Sequence, residues 1–405
     1  MTTHPNGRPN TMLPRAQPDL GRALEEAIEI SARRGSPLTS VVAQANAAFP
    51  PADGQSNAPK APIPHPSELP AHVLEGVREV DIMRALAPLA PSMKSVEREI
   101  ERLITTPVKL VADIAAHVLG AGGKRLRPAL TLLAAQMCGD DEADSAARVI
   151  TCAALVELTH TTTLLHDDVV DGATMRRGKP AANLVWGNET SVLVGDYLFA
   201  QVFVTASRRG IAELMHPLAH ATAQMCAGEL LETQMRGFWE MSERQYLDIV
   251  ALKTGSLTEC SCRMGALAVN APEEQVELLG TFGRSIGVAF QIVDDVFDIV
   301  LEAEQIGKPV GNDLREGAIT LPMLHALEFS PDREELRQIL ASEEKSDADI
   351  ERAIQILRGG DSVASAMRVA RQYVEAAQNV LDSFPDGNAK SMLCDIADYV
   401  LARRK

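Results

Sequence analysis

Residues 286–301 read IGVAFQIVDDVFDIVL, and residues 159–172 read THTTTLLHDDVVDG. Each places the same acidic pattern, Asp294-Asp295-Val-Phe-Asp298 and Asp167-Asp168-Val-Val-Asp171, in a stretch otherwise too apolar to welcome charge. Side chains three and four apart share a helix face, so Asp167 projects with Asp171 and Asp294 with Asp298, while Asp168 and Asp295 stand alongside. Two carboxylates about 4 Å apart repel by roughly 4 kcal/mol at an effective dielectric of about 20. Carboxylates at that density in partly buried positions need compensation, and a divalent cation is the natural candidate.

The polar stripe extends beyond the aspartates. Gln291, Asp294, Asp295 and Asp298 form a seam on a helix whose other faces carry Ile286, Val288, Phe290, Ile292, Val296, Ile299 and Val300. The first segment repeats this less cleanly with His160, Thr163, Asp167, Asp168 and Asp171. A helix apolar nearly all round is buried, so both seams are expected to face an internal cavity. One such motif on a surface helix is ordinarily a solvated charge run. Two copies, each in an apolar helix, argue against that.

The 405 residues suffice for one large helical domain or two ordinary ones. Apolar residues make up 46% and aromatics only 4%, with Ala, Leu and Val dominating, which favours helices. A net charge of −16 argues against nucleic acid or an acidic membrane surface as primary partner. The six cysteines show no framework spacing, so a reduced, cytoplasmic setting is expected. No run of 18 apolar residues predicts a spanning helix, and the N-terminus lacks a signal-peptide core.

Residues 1 to about 20 and 48 to about 70 are rich in Pro, Asn, Gly and Ser and read as disordered, with a short helix between them around ALEEAIEISARR. The expected division is an N-terminal extension over 1–75 and a catalytic domain over 76–405. From about Pro70 the pattern is helical almost throughout. Periodic segments are Ser92–Thr105, Leu126–Cys138, Ala146–Val170, Ser191–Arg208, Ile211–Arg236, Val276–Leu301 and Ser362–Phe384. No β-alternating run with hairpin chemistry stands out. One all-α domain carrying the acidic motifs on two different helices is the economical picture.

Basic loops flank the acidic helices. Gly122-Gly123-Lys124-Arg125-Leu126-Arg127-Pro128 precedes the first, and Met175-Arg176-Arg177-Gly178-Lys179-Pro180 follows it. Gly307-Lys308-Pro309-Val310-Gly311-Asn312-Asp313 follows the second, and Lys253-Thr254-Gly255-Ser256 lies between. Glycine followed by Lys and Arg at a helix start collects backbone N–H groups, a positive dipole end and side-chain charge, which suits a diphosphate. Basic loops are common, and it is their placement beside both acidic motifs that gives them weight. The Gly255-Ser256 pair loosens helical hydrogen bonding and is expected to kink the helix near Lys253.

The ordered set GGKRLRP, LLHDDVVDGATMRRGKP, GDYLFA, KTGSL, FQIVDDVFDI and GKPVGNDLREG resembles the trans-isoprenyl diphosphate synthases, specifically the long-chain polyprenyl branch, over about residues 80–405. The resemblance implies an all-α isoprenoid synthase fold, a helix bundle around a deep central cavity with the two motifs facing across its mouth. It implies Mg²⁺-dependent head-to-tail condensation of isopentenyl diphosphate onto an allylic diphosphate. Three Mg²⁺ ions are implied, with Asp167, Asp171 and Asp294 as ligands and Asp168, Asp295 and Asp298 completing the metal site. Arg176, Lys253 and Lys308 would contact the allylic diphosphate, and Lys124, Arg127, His160 and Arg177 the isopentenyl diphosphate. Lys253, Thr254 and Gln291 would serve catalysis, the latter two by stabilising the cation while diphosphate takes the proton. Many relatives carry Lys where this chain has Ala318, which removes one potential diphosphate contact.

Product length is implied by Thr163 and Thr162, four and five residues before Asp167, where short-chain relatives carry bulky aromatics. One helical turn is about 5.4 Å, so these threonines sit that much deeper and leave the pocket open. A product of C40 to C50 is expected, primed by farnesyl or geranylgeranyl diphosphate and destined for a quinone side chain. Phe199, Phe203 and Met215 are candidates for the floor. A homodimer and peripheral membrane contact at product release are family expectations. A class I terpene cyclase shares the first motif, but its second is usually of Asn/Ser/Glu type and it needs no isopentenyl site. A non-catalytic subunit of a heteromeric synthase tends to lose aspartates that are all present here.

Overall fold

The structure, a computed structural model, describes residues 78–139, 143–209, 211, 214–301, 310–342 and 344–403. The N-terminal extension, the boundary expected near residue 76, and Lys308 lie outside the described residues.

The chain is helical wherever the periodic pattern is. A single turn, α1 (Ile82–Ala85), is capped by the Asp81 carboxylate. It leads to α2 (Ala90–Ile104), α3 (Lys109–Leu119), α4 (Leu126–Met137) and the long α5 (Ala143–Val170). A minimal hairpin of β1 (Met175–Arg176) and β2 (Lys179–Pro180) follows. Next come α6 (Ala182–Trp186), α7 (Asn188–Arg208), α8 (Met215–Met235) and α9 (Glu243–Val250). A π-helical turn, Ala251–Gly255, joins α9 to α10 (Ser256–Ala268), and α11 (Glu273–Val300) carries the second acidic motif in its last two turns. The remainder comprises α12 (Asn312–Glu316), α13 (Leu321–Phe329), α14 (Arg333–Ala341), α15 (Asp347–Gly359), α16 (Ser362–Leu381) and α17 (Asn388–Ala402).

The hairpin was not expected. Its turn residues Arg177 and Gly178 both have positive φ, 50° and 76°, which suits a two-residue turn between twisted strands. With only two residues per strand, it leaves no alternation to read.

Helix α10 is the centre of the bundle. It packs on α4, α5, α8 and α11, while α5 also packs on α2 and α7, and α11 on α16. Small side chains permit this. Cys260 and Cys262 are buried in α10 as compact core residues, and burial pushes both thiols up. All six cysteines are free thiols. Two glycines bring helices against the π-helical turn. A Cβ on Gly228 would lie 2.5 Å from the Lys253 nitrogen, and one on Gly287 2.8 Å from the Gly255 Cα.

Two helices, Asn188–Arg208 and Glu273–Val300, are long and apolar enough to cross a membrane by length and composition alone, contrary to the expectation from uninterrupted runs. An 18-residue window tolerates the isolated charges that break such a run. In Glu273–Val300, 61% of that window is buried in the bundle, as befits a core helix.

Candidate active site

The first acidic motif ends α5. The Asp171 amide donates to the Asp167 carbonyl at 2.8 Å, and Gly172, with φ of 59°, turns the chain away. The three aspartates then part company. Asp168 is buried at 1% exposure and accepts from Arg176 Nε at 2.7 Å, with the Arg176 Nη2 closer still. Asp171 faces Arg236 Nη2 at 3.5 Å. Asp167 has no such partner, and burial, then the charge of Glu229, pushes its carboxyl up to about 7.

On α11 the second motif is divided similarly. Asp294 accepts from Arg403 Nη1 at 2.6 Å, while Arg403 Nη2 donates to the Phe290 carbonyl at 2.6 Å. The Arg403 guanidinium stacks 3.7 Å from the Phe290 ring centroid, so this near-terminal arginine is buried while Asp294 stays half-exposed. Asp295 is buried and accepts from Tyr246 Oη at 2.5 Å and from Gln291 Nε2 at 2.8 Å. Burial pushes its carboxyl up to about 7 against those two hydrogen bonds. Asp298 accepts from the Asn312 and Asp313 amides at 3.1 and 3.0 Å, holding the start of α12. Asp313 is half-buried, and desolvation followed by the charge of Asp298 raises its carboxyl far above the usual range.

Lys253 lies between the two motifs. Its ammonium bridges Glu229 at 2.9 Å and Glu232 at a shorter distance, both on α8. Glu229 is near enough to raise Asp167, and Glu232 near enough to raise Asp295, so both acidic walls converge on this bridge. The kink expected here is the π-helical turn. Ser256 Oγ donates to the Leu252 carbonyl at 2.6 Å, and Thr258 Oγ1 to the carbonyls of Gly255 at 2.9 Å and Thr254 at 3.3 Å. The Thr254 carbonyl is therefore met by a hydroxyl. The Thr254 hydroxyl donates to Gln291 Oε1 at 2.8 Å.

The basic residues gather around His160, two turns before Asp167 on α5. Arg177 Nη1 donates to the Gly122 carbonyl and Lys179 Nζ to the Gly120 carbonyl at 2.8 Å, tying the hairpin to the loop before α4. Arg125, in the left-handed region with φ of 49°, pairs with the buried Glu157 and donates to the Leu119 carbonyl at 2.9 Å. Burial lowers the Arg127 guanidinium despite the attraction of Glu157, and its buried Nε has no hydrogen-bond partner. His160 sits among Arg127, Arg177, Arg176 and Arg125, and burial followed by those charges holds it neutral, well below its usual range. Lys124 is exposed, with Nζ 5.2 Å from the Tyr399 ring centroid. A neutral imidazole ringed by guanidiniums, one of them with an unused donor, is a site short of an anion.

The carboxylates fit a hard divalent cation, because their donors are all oxygen. Among the described residues no three such side chains already form a closed cage. Mg²⁺ takes one or two carboxylates and completes its shell with water and phosphate oxygens. The unpaired, raised carboxyl of Asp167 is the one a cation would relieve most.

Thr162 is buried and donates to the Thr159 carbonyl at 2.6 Å, while half-buried Thr163 donates to the His160 carbonyl at 2.8 Å. Both hydroxyl protons are spent on the helix itself. Of the floor candidates, Phe203 is 41% exposed and stacks edge-on to Phe199 with centroids 4.9 Å apart, while Met215 is half-buried.

Several of these residues were not singled out from sequence: Glu157, Glu229, Glu232, Tyr246, Asp313 and Arg403. Only Glu229 and Glu232 had a readable signal, two acids three apart in a helix of mostly small and apolar residues.

Known proteins resemble this chain over most of its length. The polyprenyl synthetase family profile matches residues 108–357. The nonaprenyl diphosphate synthase of Mycobacterium tuberculosis is 39% identical over 82% of this chain and 98% of its own. A short chain isoprenyl diphosphate synthase of Methanothermobacter thermautotrophicus is 34% identical over 80% of this chain and 98% of its own. The crystal structure of a polyprenyl synthase from Caulobacter crescentus, complexed with calcium and isoprenyl diphosphate, superposes with a TM-score of 0.76 at 34% identity, covering 81% of this chain and 99% of that one. With profile and full-length relatives spanning the helices that carry both acidic motifs, the chain belongs to the polyprenyl synthetase family and is a prenyltransferase that makes prenyl diphosphates.

Proposed function

We propose that the chain is a Mg²⁺-dependent, long-chain all-trans polyprenyl diphosphate synthase that makes a product of about C40 to C50, as small residues at the two positions one turn beneath the first motif allow. The observation that carries this is Thr162 and Thr163 one turn beneath Asp167, with no aromatic from Ala153 to Thr159. Isopentenyl diphosphate sits against Lys124, Arg127, His160 and Arg177. The allylic diphosphate, farnesyl or geranylgeranyl, sits against Arg176, Lys253 and Lys308. Held at Asp167, Asp171 and Asp294, Mg²⁺ supplies the Lewis acidity that neutralises the departing diphosphate. Asp168, Asp295 and Asp298 are held by protein donors and keep the helix ends in place around those ligands.

The allylic C–O bond breaks, leaving a carbocation. The double bond of isopentenyl diphosphate attacks it, and loss of a proton to the released diphosphate ends the cycle. Thr254 and Gln291 face the cation with neutral oxygens, and the apolar walls exclude water from it. A growing chain descends between the helices, each buried CH₂ contributing about 0.8 kcal/mol. The final product serves as a quinone side chain.

Purified protein given farnesyl diphosphate, isopentenyl diphosphate and Mg²⁺ is expected to yield linear product of C40 or longer. Product no longer than C20 removes the long-chain reading, and a cyclic hydrocarbon removes the synthase reading. Thr163→Phe places an aromatic across the pocket and is expected to shorten the product by several isoprene units. Unchanged product length would show that the chain does not pass this position.

The active form is proposed to be a homodimer. Leu184, Val185, Leu193, Phe203 and Val204 on α6 and α7 are exposed to between 37% and 60% and form an apolar surface on adjacent helices. The double substitution Leu193→Asp with Phe203→Asp is expected to convert a dimer to a monomer in sedimentation velocity. A variant sedimenting as the wild type does would place the interface elsewhere.

A further inference from the structure

Two helical segments are cross-linked by hydrogen bonds whose direction can be followed end to end. Tyr246 and Thr254 lie on the continuous run of α9 and the π-helical turn, and Gln291 and Asp295 lie one turn apart on α11. Tyr246 Oη donates to one Asp295 oxygen at 2.5 Å, and Gln291 Nε2 donates to the other at 2.8 Å. Gln291 Oε1 then accepts the Thr254 hydroxyl proton at 2.8 Å. Tyr246 and Asp295 are buried, at 3% and 7% exposure, whereas Gln291 and Thr254 are half-buried on the seam. The Ser242–Gln245 capping box fixes the start of α9 and with it the position of Tyr246.

We infer that Tyr246 and Asp295 are positioning residues that set the polarity of this chain, so that Gln291 and Thr254 present oxygen lone pairs to the carbocation. The inference rests on the reading, given above, that Thr254 and Gln291 face the reacting carbon. Gln291 meets one Asp295 oxygen with its NH₂ group while Tyr246 Oη holds the other. The reverse orientation would break this hydrogen bond and the one Gln291 Oε1 accepts from Thr254. The Gln291 oxygen is thereby turned toward Thr254 and takes the single hydroxyl proton there. What remains free on the two oxygens is lone pairs, beside the second N–H of Gln291. Neutral oxygens fixed in this way stabilise a positive centre by preorganised charge–dipole attraction. Both are weak bases and poor nucleophiles, so they do not consume the cation. Tyr246 and Asp295 touch no substrate in this account; toward the reacting carbon they act through Gln291, and Asp295 also steadies the helix end beside Asp294.

Asp295→Asn reverses the chain with almost no change in volume. The Asn carbonyl takes the Tyr246 proton, its NH₂ group faces Gln291, and Gln291 must rotate to offer its oxygen. N–H donors then point toward Thr254 and the cation. The expected result is a kcat lowered by about 100-fold, the scale seen when one preorganised dipole is lost. The KM values of both diphosphates should stay within about twofold. Tyr246→Phe leaves the polarity but loosens its anchor, and its kcat should fall by about tenfold with the same pattern.

A binding measurement separates this from a structural role. The two probes are an allylic thiodiphosphate, neutral at the reacting carbon, and its analogue with an ammonium nitrogen at that carbon, both titrated with Mg²⁺. Wild-type protein should prefer the ammonium probe, Asp295→Asn should lose about tenfold of that preference, and thiodiphosphate affinity should be unchanged. The double variant Asp295→Asn with Gln291→Glu restores an acceptor facing Thr254 and should recover the preference. Equal weakening of both probes in Asp295→Asn, or no recovery in the double variant, overturns the inference. Failure of the wild type to bind either probe would instead remove the prenyl diphosphate reading, and the inference with it.

Discussion

Asp167→Asn is expected to abolish turnover while making the protein more stable. On the catalytic side, loss of a carboxylate that holds a Lewis acid at a leaving group removes several kcal/mol, so kcat/KM should fall by at least about 10³-fold. On the folding side, the Asp167 carboxyl is raised to about 7 by burial and by Glu229, with Asp171 adding to the repulsion. A carboxyl raised in the folded state is penalised whenever it is ionised. Stability therefore falls as pH rises from the unfolded value near 4 toward 7, the reverse of the usual carboxylate. Asn carries no charge and removes that slope, stabilising the metal-free protein at pH 7.5 by on the order of 1 to 4 kcal/mol. Urea unfolding in the presence of a chelator, from pH 4.5 to 7.5, reads both the gain and the lost slope. A variant less stable than wild type at pH 7.5 would mean that Asp167 is engaged by the protein rather than kept for a cation.

Glu157→Ala should give the largest loss of stability among single substitutions at the site. Glu157 is 4% exposed, pairs directly with Arg125, and offsets the burial of Arg127 and Arg177. Removing one partner of a buried pair leaves an uncompensated charge and costs about 3 to 5 kcal/mol, here compounded by guanidiniums crowded around a neutral His160. Inorganic diphosphate should recover part of that loss, because an anion bound among the arginines favours the folded state by mass action. Urea midpoints with and without diphosphate check this. A cost below about 1 kcal/mol would show that the arginines are compensated from elsewhere.

The helices were legible because periodicity is local. Segments expected at Leu126–Cys138 and Ser191–Arg208 appear as Leu126–Met137 and Asn188–Arg208, and the kink at Lys253 was foreshadowed by Gly255 and Ser256. The ends were less legible: α11 begins at Glu273 rather than Val276, because its first turn of acidic residues carries no apolar signal. The acidic seams were visible as charge in apolar helices, and the family resemblance divided their members into ligands and supports, but the protein partners of each were not visible. Asp168 and Asp167 look alike in sequence, and only the approach of Arg176 from the hairpin distinguishes them. Tyr246, Glu157 and Arg403 were unreadable for the same reason. Each is ordinary in its own helix or tail and acquires meaning from a partner 32 to 109 positions away.

The account depends on the two acidic walls holding one diphosphate together through Mg²⁺. Calorimetric titration of an allylic thiodiphosphate into the protein tests this most directly. Binding should require Mg²⁺ and should be lost alike in Asp167→Ala and Asp294→Ala, although the two residues lie on different helices. Binding of equal strength in a chelator, or loss in only one of the two variants, would contradict it.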